Sequence, residues 1–248
     1  SGDILFDLPE LFETLGHAAH SANKPWLLLI DEVQYLNEED LSALIVSLHR
    51  MSQSALPIVF AGAGLPQVAR LAGDAKSYAE RLFVYPAIGP LNKQAAREAL
   101  EKPIVSEGAS ITEDAIARIF DATQGYPFFI QEWGYHAWDI AIGPEITVED
   151  VAATHEPVVQ SLDEGFFKVR MDRLTRAETE FVSAMADLGE GPYPISDVAN
   201  AMNRKTQSLG PTRASIIHKG MIYSPEHGHL EFTVPLFAEF MRRHRAKR

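Results

Sequence analysis

The sequence predicts three units: an α/β core with parallel strands over 1–90, an all-helical unit over 91–160, and a winged helix-turn-helix over 161–248. Three observations carry this prediction. Short aliphatic runs alternate with amphipathic helices as far as Gly89-Pro90, the pattern from Asn92 is purely helical, and the last third reads as three helices followed by two short strands.

In chain order, 8–21 is the first expected helix, with Leu8, Leu11, Phe12 and Leu15 at helical spacing. WLLLI (26–30) follows as a buried strand that runs straight into Asp31 and Glu32. Asn37 can cap the next helix with Asp40 three residues on, and Leu41, Leu44, Ile45, Leu48 and Met51 form its apolar stripe to about Gln53. PIVFAG (57–62) is a second strand, closed by Gly62 and Gly64, and 82–88 reads as a third, weaker one. In the helical unit, helices are expected over 94–102, 113–124, 127–140 and 147–154, the last opened by a Thr147/Asp150 capping box. After a 162–174 segment, Thr175 and Glu178 form another capping box, and Phe181, Val182, Met185 and Leu188 mark one helix. Val198, Ala199 and Met202 mark a shorter helix, 211–219 ends at Gly220, and two strands turn about His227-Gly228.

Composition bounds the function. With 248 residues, 46% hydrophobic and 23% charged, the chain is of globular type, and no apolar run approaches the ~20 residues that span a bilayer. The absence of cysteine excludes disulfides, thiolate zinc sites and cysteine nucleophiles, and nothing at the N-terminus resembles a signal peptide. A cytoplasmic protein without membrane contact is expected. The net charge of -12 argues against nucleic acid, yet 204–248 holds nine Lys or Arg against three acids, a local +6 that leaves -18 for the rest. Nine histidines occur without HExxH, so no zinc site is expected, and Gly62-Ala63-Gly64 is not a GxGxxG loop because Gln67 holds its sixth position. The aromatic residues Phe128, Phe129, Trp133, Tyr135 and Trp138 fall on one expected helix and read as its core.

An aliphatic strand ending in two acids, hhhhDE, is the Walker B pattern. The strand buries itself and presents both carboxylates at the carboxyl edge of the sheet, where ligands bind in open α/β folds. Asp31 would hold Mg²⁺ and Glu32 would orient the water that attacks the γ-phosphate. A strand that simply ends in acids before a loop has the same sequence, and both readings stay open at this point.

The tracts DEVQYL, GAGLPQ, SYAERLF, IGPL, QGYPFFIQEWG, LDEGFF, RKTQSLGPTR, KGMIYSPEHG and FTVPLFAEFMRR occur in this order along nearly the whole chain. Together they resemble the AAA+ ATPases, on the branch near origin-recognition ATPases and signal-transduction (STAND) ATPases, and most of all a group of bacterial AAA-family ATP-binding proteins. The resemblance implies Asp31 and Glu32 as Walker B and puts Gly62 near sensor 1, although this loop carries no polar side chain there. It implies Arg81 as an arginine finger acting on a neighbour's nucleotide; a structural salt bridge is the other reading. It implies Gly125 and Pro127, in Gln124-Gly125-Tyr126-Pro127, as a lid element near the nucleotide base; a helix break before a helix-starting proline is equally consistent. No sensor-2 arginine is evident.

No Gly-Lys dipeptide occurs in the chain, so GxxxxGK[ST] is absent, and some 25 residues precede Trp26. In the family the P-loop lies well before Walker B. The chain is therefore expected to be the C-terminal part of a longer ATPase, with a truncated P-loop core. ATP and Mg²⁺ belong to the intact parent, and this part alone should neither bind ATP tightly nor hydrolyse it. In the family's sheet the P-loop strand lies between the Gly62 strand and the third strand. Its loss should leave an unpaired edge that admits self-association.

The winged helix is expected to contact double-stranded DNA. Lys205, Thr206, Gln207, Ser208, Thr212 and Arg213 form the groove-facing set, His227 and His229 sit on the wing, and Arg242, Arg243, Arg245, Lys247 and Arg248 can neutralise phosphates. Winged helices also serve as protein-interaction modules, and a terminal basic run can be a solvated helix end. The parent reads as an ATPase that couples nucleotide state to DNA binding. The alternative is a non-catalytic DNA- or protein-binding regulator on a degenerate ATPase scaffold.

Overall fold

A computed structural model describes residues 2–246. The chain divides into two compact units, one up to Ala87 and one from Ile88.

The first unit opens with α1 (Ile4–Ser21), which starts earlier than the apolar spacing suggests because Asp3 caps it, accepting the Leu5 N–H at 2.9 Å. β1 (Trp26–Ile30) is followed by a 3₁₀ turn over Val33–Tyr35 and then α2 (Glu38–Gln53), capped by Asn37 accepting the Asp40 N–H at 2.8 Å. β2 (Ile58–Gly62) pairs with β1 in parallel, Trp26 opposite Ile58 and Ile30 opposite Gly62. α1 and α2 cover one face of this sheet. Phe12, Leu44, Leu48 and Met51 pack there against Trp26, Leu28, Ile58 and Phe60, with Phe12 edge-on to Trp26 at 5.5 Å. α3 (Val68–Ala75) and the single turn α4 (Ala79–Leu82) complete the unit.

Two expectations are corrected here. The strands are covered on one face only: Leu27, Leu29 and Val59 point to the other face, and Leu29 is 68% exposed. A continuous aliphatic run predicts cover on both faces, as parallel sheets usually have, and the described residues supply a layer on one. The third strand over 82–88 does not form. Leu82 ends α4, and the chain beyond it joins no strand among the described residues, leaving Val84 and Ile88 each 92% exposed. A strand needs a neighbour's N–H and C=O groups, and none of the described residues offers them at this edge.

The second unit begins with α5 (Lys93–Ser106), capped by Asn92 and longer than the 94–102 expected. β3 (Ser110–Ile111) leads to α6 (Glu113–Thr123) and α7 (Pro127–Ile140). β4 (Glu145–Ile146) then pairs with β3 in parallel, ahead of α8 (Val148–Ala153) and α9 (His155–Leu162). A π-helical turn over Asp163–Phe167 joins α9 to α10 (Lys168–Met171), and α11 (Arg176–Asp187) follows. Both capping boxes form, Thr147 with Asp150 and Thr175 with Glu178. Of the α7 aromatics, Phe129 and Trp133 are buried while Phe128, Tyr135 and Trp138 are exposed, so only the inward-facing pair is core.

The chain continues through β5 (Tyr193–Pro194), α12 (Ile195–Ala201), a 3₁₀ turn over Thr206–Leu209 and α13 (Gly210–His218). It closes with β6 (Ile222–Tyr223), β7 (His229–Phe232) and α14 (Phe237–Ala246). β7 lies between β5 and β6 and is antiparallel to both, so the expected pair of strands is a sheet of three. Gly228 turns the chain before β7 at φ +81°. One continuous apolar core runs through this unit from Ala96 to Met241, and Phe237, Phe240 and Met241 of α14 are part of it. None of the helices is long and apolar enough to cross a membrane, among the described residues.

Candidate functional site

At the carboxyl end of β1 the chain turns sharply. Glu32 adopts a left-handed conformation, φ +54°, which costs a non-glycine residue roughly 1 kcal/mol, and its N–H donates to Asp31 Oδ1 at 2.8 Å. The turn is laced to the end of β2: Ala63 N–H donates to the Ile30 carbonyl at 2.9 Å, and Val33 N–H to the Ala63 carbonyl at 3.0 Å. Asp31 and Glu32 are both exposed there, side by side.

The buried side chain of Gln34 joins the turn to the loop after β2. Its Nε2 donates to the Glu32 carboxylate, and its Oε1 accepts the Leu65 N–H at 3.1 Å. The two glycines of the loop are required by this packing. A Cβ on Gly62 would lie 2.7 Å from the Phe60 ring and 2.8 Å from Val33, and one on Gly64 would lie 2.5 Å from Gln34 Oε1 and 2.6 Å from Val68. Gly62, Ala63 and Gly64 therefore have no polar side chain to contribute, and the polar group beside them comes from Gln34. Sequence reasoning missed this residue; its signal was an amide between the apolar Val33 and the partly buried Leu36 in an otherwise hydrophobic turn.

Adjacent exposed carboxylates can attract a divalent cation through its water shell. Asp31 and Glu32 fit one part of a Mg²⁺–nucleotide site and not a whole one, since the chain has no Gly-Lys dipeptide of a phosphate-cradling loop. Among the described residues no group of three or more His, Asp or Glu is placed to hold a metal by itself. Arg81, on α4, is exposed, and its guanidinium has no partner among the described residues, so the salt bridge read as its alternative role does not form.

Gly125 and Pro127 lie in the other unit. Gly125 has φ +74°, a Cβ there would come within 2.4 Å of the Leu91 carbonyl oxygen, and its own carbonyl accepts the Leu91 N–H at 2.8 Å. This close backbone approach admits only glycine. Pro127 occupies the first turn of α7, where a missing N–H costs nothing.

The C-terminal candidates separate into two sets. Lys205, Thr206, Gln207 and Ser208 are exposed on the 3₁₀ turn that leads into α13, and Thr212 and Arg213 are half-buried on α13 itself. Arg213 Nε is buried without a hydrogen-bond partner. His227 is exposed at the turn before β7, whereas His229 Nδ1 lies 3.2 Å from Glu226. The α14 arginines are engaged within the unit: Arg242 donates to the Ala186 carbonyl, Arg243 grips Asp163 at 2.6 and 3.4 Å, and Arg245 grips Asp187 at 2.6 and 2.7 Å. Lys247 and Arg248 lie outside the described residues.

A buried charge lies between α11 and α13. Glu178 accepts from Lys219 Nζ and Ser215 Oγ, each at 2.6 Å, and from the Thr175 N–H at 2.6 Å. Burial pushes its pKa up, and these donors outweigh burial and hold it at about 2. The link ties α13 to the start of α11.

Residues 164–241 match a domain family described only as a domain of unknown function, DUF8462. No curated protein sequence matches the chain. Among solved structures, the Walker-type ATPase PABY2304 of Pyrococcus abyssi superposes with a TM-score of 0.67 at 16% identity, over 96% of this chain and 68% of that one. The RuvB Holliday junction branch migration motor of Thermotoga maritima superposes with a TM-score of 0.50 at 15% identity, over 86% of this chain and 70% of that one. At such identities the likeness concerns the fold, and that fold is the one of Walker-type, AAA+ P-loop ATPases.

Proposed function

We propose that this chain is the C-terminal portion of an AAA+ ATPase of the STAND and origin-recognition type, in which nucleotide state is coupled to a winged-helix domain that contacts double-stranded DNA. One observation carries the reading. Asp31 and Glu32 sit at the carboxyl end of a parallel strand, tied through Gln34 to the neighbouring loop, in a sheet with an open apolar face and an unpaired segment after α4. A parallel pair of strands of this kind calls for further strands and a second covering layer. The missing complement is a strand with a phosphate-cradling loop, supplied by polypeptide outside this chain. ATP and Mg²⁺ then bind where that loop meets Asp31 and Glu32. The chain by itself does not hydrolyse ATP.

The helices α11, α12 and α13 with the β5–β7–β6 sheet support the winged-helix reading, in which the 3₁₀ turn and α13 approach the groove. Lys205, Thr206, Gln207, Ser208, Thr212, Arg213, His227 and His229 form the contact set. Arg242 and Arg243, the remaining members of the expected set, are engaged within the unit by the Ala186 carbonyl and by Asp163. The pairing of the α14 arginines favours a second reading, a regulator that binds protein rather than DNA.

The test is ATP hydrolysis by the product of the whole reading frame, with and without duplex DNA, beside its Glu32→Gln variant. Activity lost in the variant and stimulated by DNA supports the proposal. An intact product that hydrolyses no ATP leaves the regulator as the better account.

A further inference from the structure

A cavity of about 250 Å³ lies inside the second unit, between the helices of its first half and α14. Its inner wall is apolar, formed by the buried residues Trp133, Leu162 and Phe167. The rim is polar: Asp121 and Gln124 at the end of α6, His155 at the start of α9, and Glu239 of α14. The His155 ring lies nearly parallel to the Trp133 indole, with centroids 6.5 Å apart.

Three irregular pieces of backbone converge on this space. Gln124, on the rim, has φ +52°, and Leu236, also lining the cavity, has φ +64° without being glycine or asparagine. Phe167 comes from the π-helical turn that interrupts the path from α9 to α10. Each is a disfavoured conformation, and such conformations gather where a site has to be held open.

Two carboxylates, Asp121 and Glu239, stand at the cavity against one guanidinium. That guanidinium, of Arg243, is already gripped by Asp163 at 2.6 Å. The carboxylate of Asp121 has no partner among the described residues, and that of Glu239 has only a distant one, Arg243 at 3.9 Å. An apolar aromatic wall beneath a rim of spare carboxylates suits a positive group carried on a flat apolar body.

We propose that this cavity binds a small organic cation, an amine with a planar apolar body that rests against Trp133 while its ammonium group is received by Asp121 and Glu239. Since Glu239 and Arg243 are on α14 while Asp121, Trp133 and His155 are on α6, α7 and α9, a bound amine bridges the two halves of the unit. The site stands independently of the nucleotide reading.

The experiment titrates the 248-residue chain with tryptamine, with indole-3-propionate of similar shape and opposite charge, and with neutral indole. The ¹H–¹⁵N indole signal of Trp133 is followed, identified by the loss of the other two in the Trp26→Phe and Trp138→Phe variants. Saturable displacement of that signal by tryptamine in the millimolar range or below, with at least about tenfold weaker response to the anion, is expected. Asp121→Asn with Glu239→Gln should weaken tryptamine about tenfold while the thermal transition stays in place. Both residues are on the surface, so the fold is retained. The proposal is overturned if the acid binds as well as the amine, if the double variant binds tryptamine unchanged, if the Trp26 signal responds in place of Trp133, or if nothing saturates by about 10 mM.

Discussion

Gln34 holds Glu32. Its amide nitrogen donates to the Glu32 carboxylate while its amide oxygen takes the Leu65 N–H at 3.1 Å, so one buried side chain sets the carboxylate's position and the course of the loop after β2 together. Removing it should release both. In Gln34→Ala the Leu65 amide loses its partner, and amide exchange at Leu65 should accelerate by one to two orders of magnitude, equivalent to about 1–3 kcal/mol for an unsatisfied buried group. Exchange at Leu65 unchanged from the parent chain would show that the loop is held by something else.

Gly64 is the other half of that arrangement. A methyl group there lies 2.5 Å from Gln34 Oε1 and 2.6 Å from Val68, whereas one at Gly89 meets open space. Gly64→Ala should lower stability by about 1–3 kcal/mol through overpacking, and Gly89→Ala should leave it within about 0.5 kcal/mol. Denaturant unfolding of the two variants side by side gives the comparison, and equal midpoints would contradict the packing described at the loop.

What the sequence could show in advance follows from the range of each signal. Caps and stripes are local, so Asn37, Thr147 and Thr175 marked their helices and Pro127 marked the start of α7. Pairing is not local. The 82–88 segment has strand composition and forms no strand, because none of the described residues pairs with it, and β5, with two residues, is too short to show any period. Leu27 and Leu29 read as buried because an aliphatic run carries no record of whether its second face is covered. Gln34 was invisible for a related reason: its importance depends on Leu65 and Gly64, some thirty residues away. The basic C-terminus was misleading in the opposite way, since formal charge counts Arg243 and Arg245 without their partners Asp163 and Asp187 on other elements.

The buried pair of Glu178 and Lys219 gives a pH prediction with a definite sign. Glu178 has its pKa lowered from 4.5 to about 2 in the folded chain, so the native state binds fewer protons than the unfolded one through that interval. Its contribution is present in full above the ordinary glutamate range and is lost as the pH falls from about 4.5 to about 2. Lys219→Met leaves the carboxylate buried without its cation and should cost roughly 2–4 kcal/mol at pH 7. The deficit should shrink on acidification, as protonated Glu178 no longer needs the lysine. Thermal melts of parent and variant at pH 7 and pH 3 would contradict this if the gap between them stayed constant.

The open face of the β1–β2 sheet makes a prediction that distinguishes this chain from the longer product proposed above. Leu29 is 68% exposed, so Leu29→Lys should change the stability of the 248-residue chain by no more than about 0.5 kcal/mol and lower any self-association through that face. In a longer product whose added residues cover that face, the same substitution buries a charge and should cost several kcal/mol. Equal tolerance in both proteins, measured by denaturant unfolding and sedimentation, would mean that the added residues pack elsewhere.

Duplex binding, if it occurs through the 3₁₀ turn and α13, should discriminate between exposed and engaged cations. Lys205 is exposed, and the Lys205→Ala change should weaken binding to unrelated duplexes alike and lower the slope of log affinity against log salt by about one. Arg243 is committed to Asp163 at 2.6 Å, so Arg243→Ala should leave that slope nearly unchanged and instead reduce stability by about 1–3 kcal/mol. The reverse pattern, with the slope falling for Arg243→Ala and standing still for Lys205→Ala, would move the contact surface from α13 to α14 and require the Arg243–Asp163 pair to open on binding. Fluorescence anisotropy over a salt series, with melting curves for each variant, decides between them.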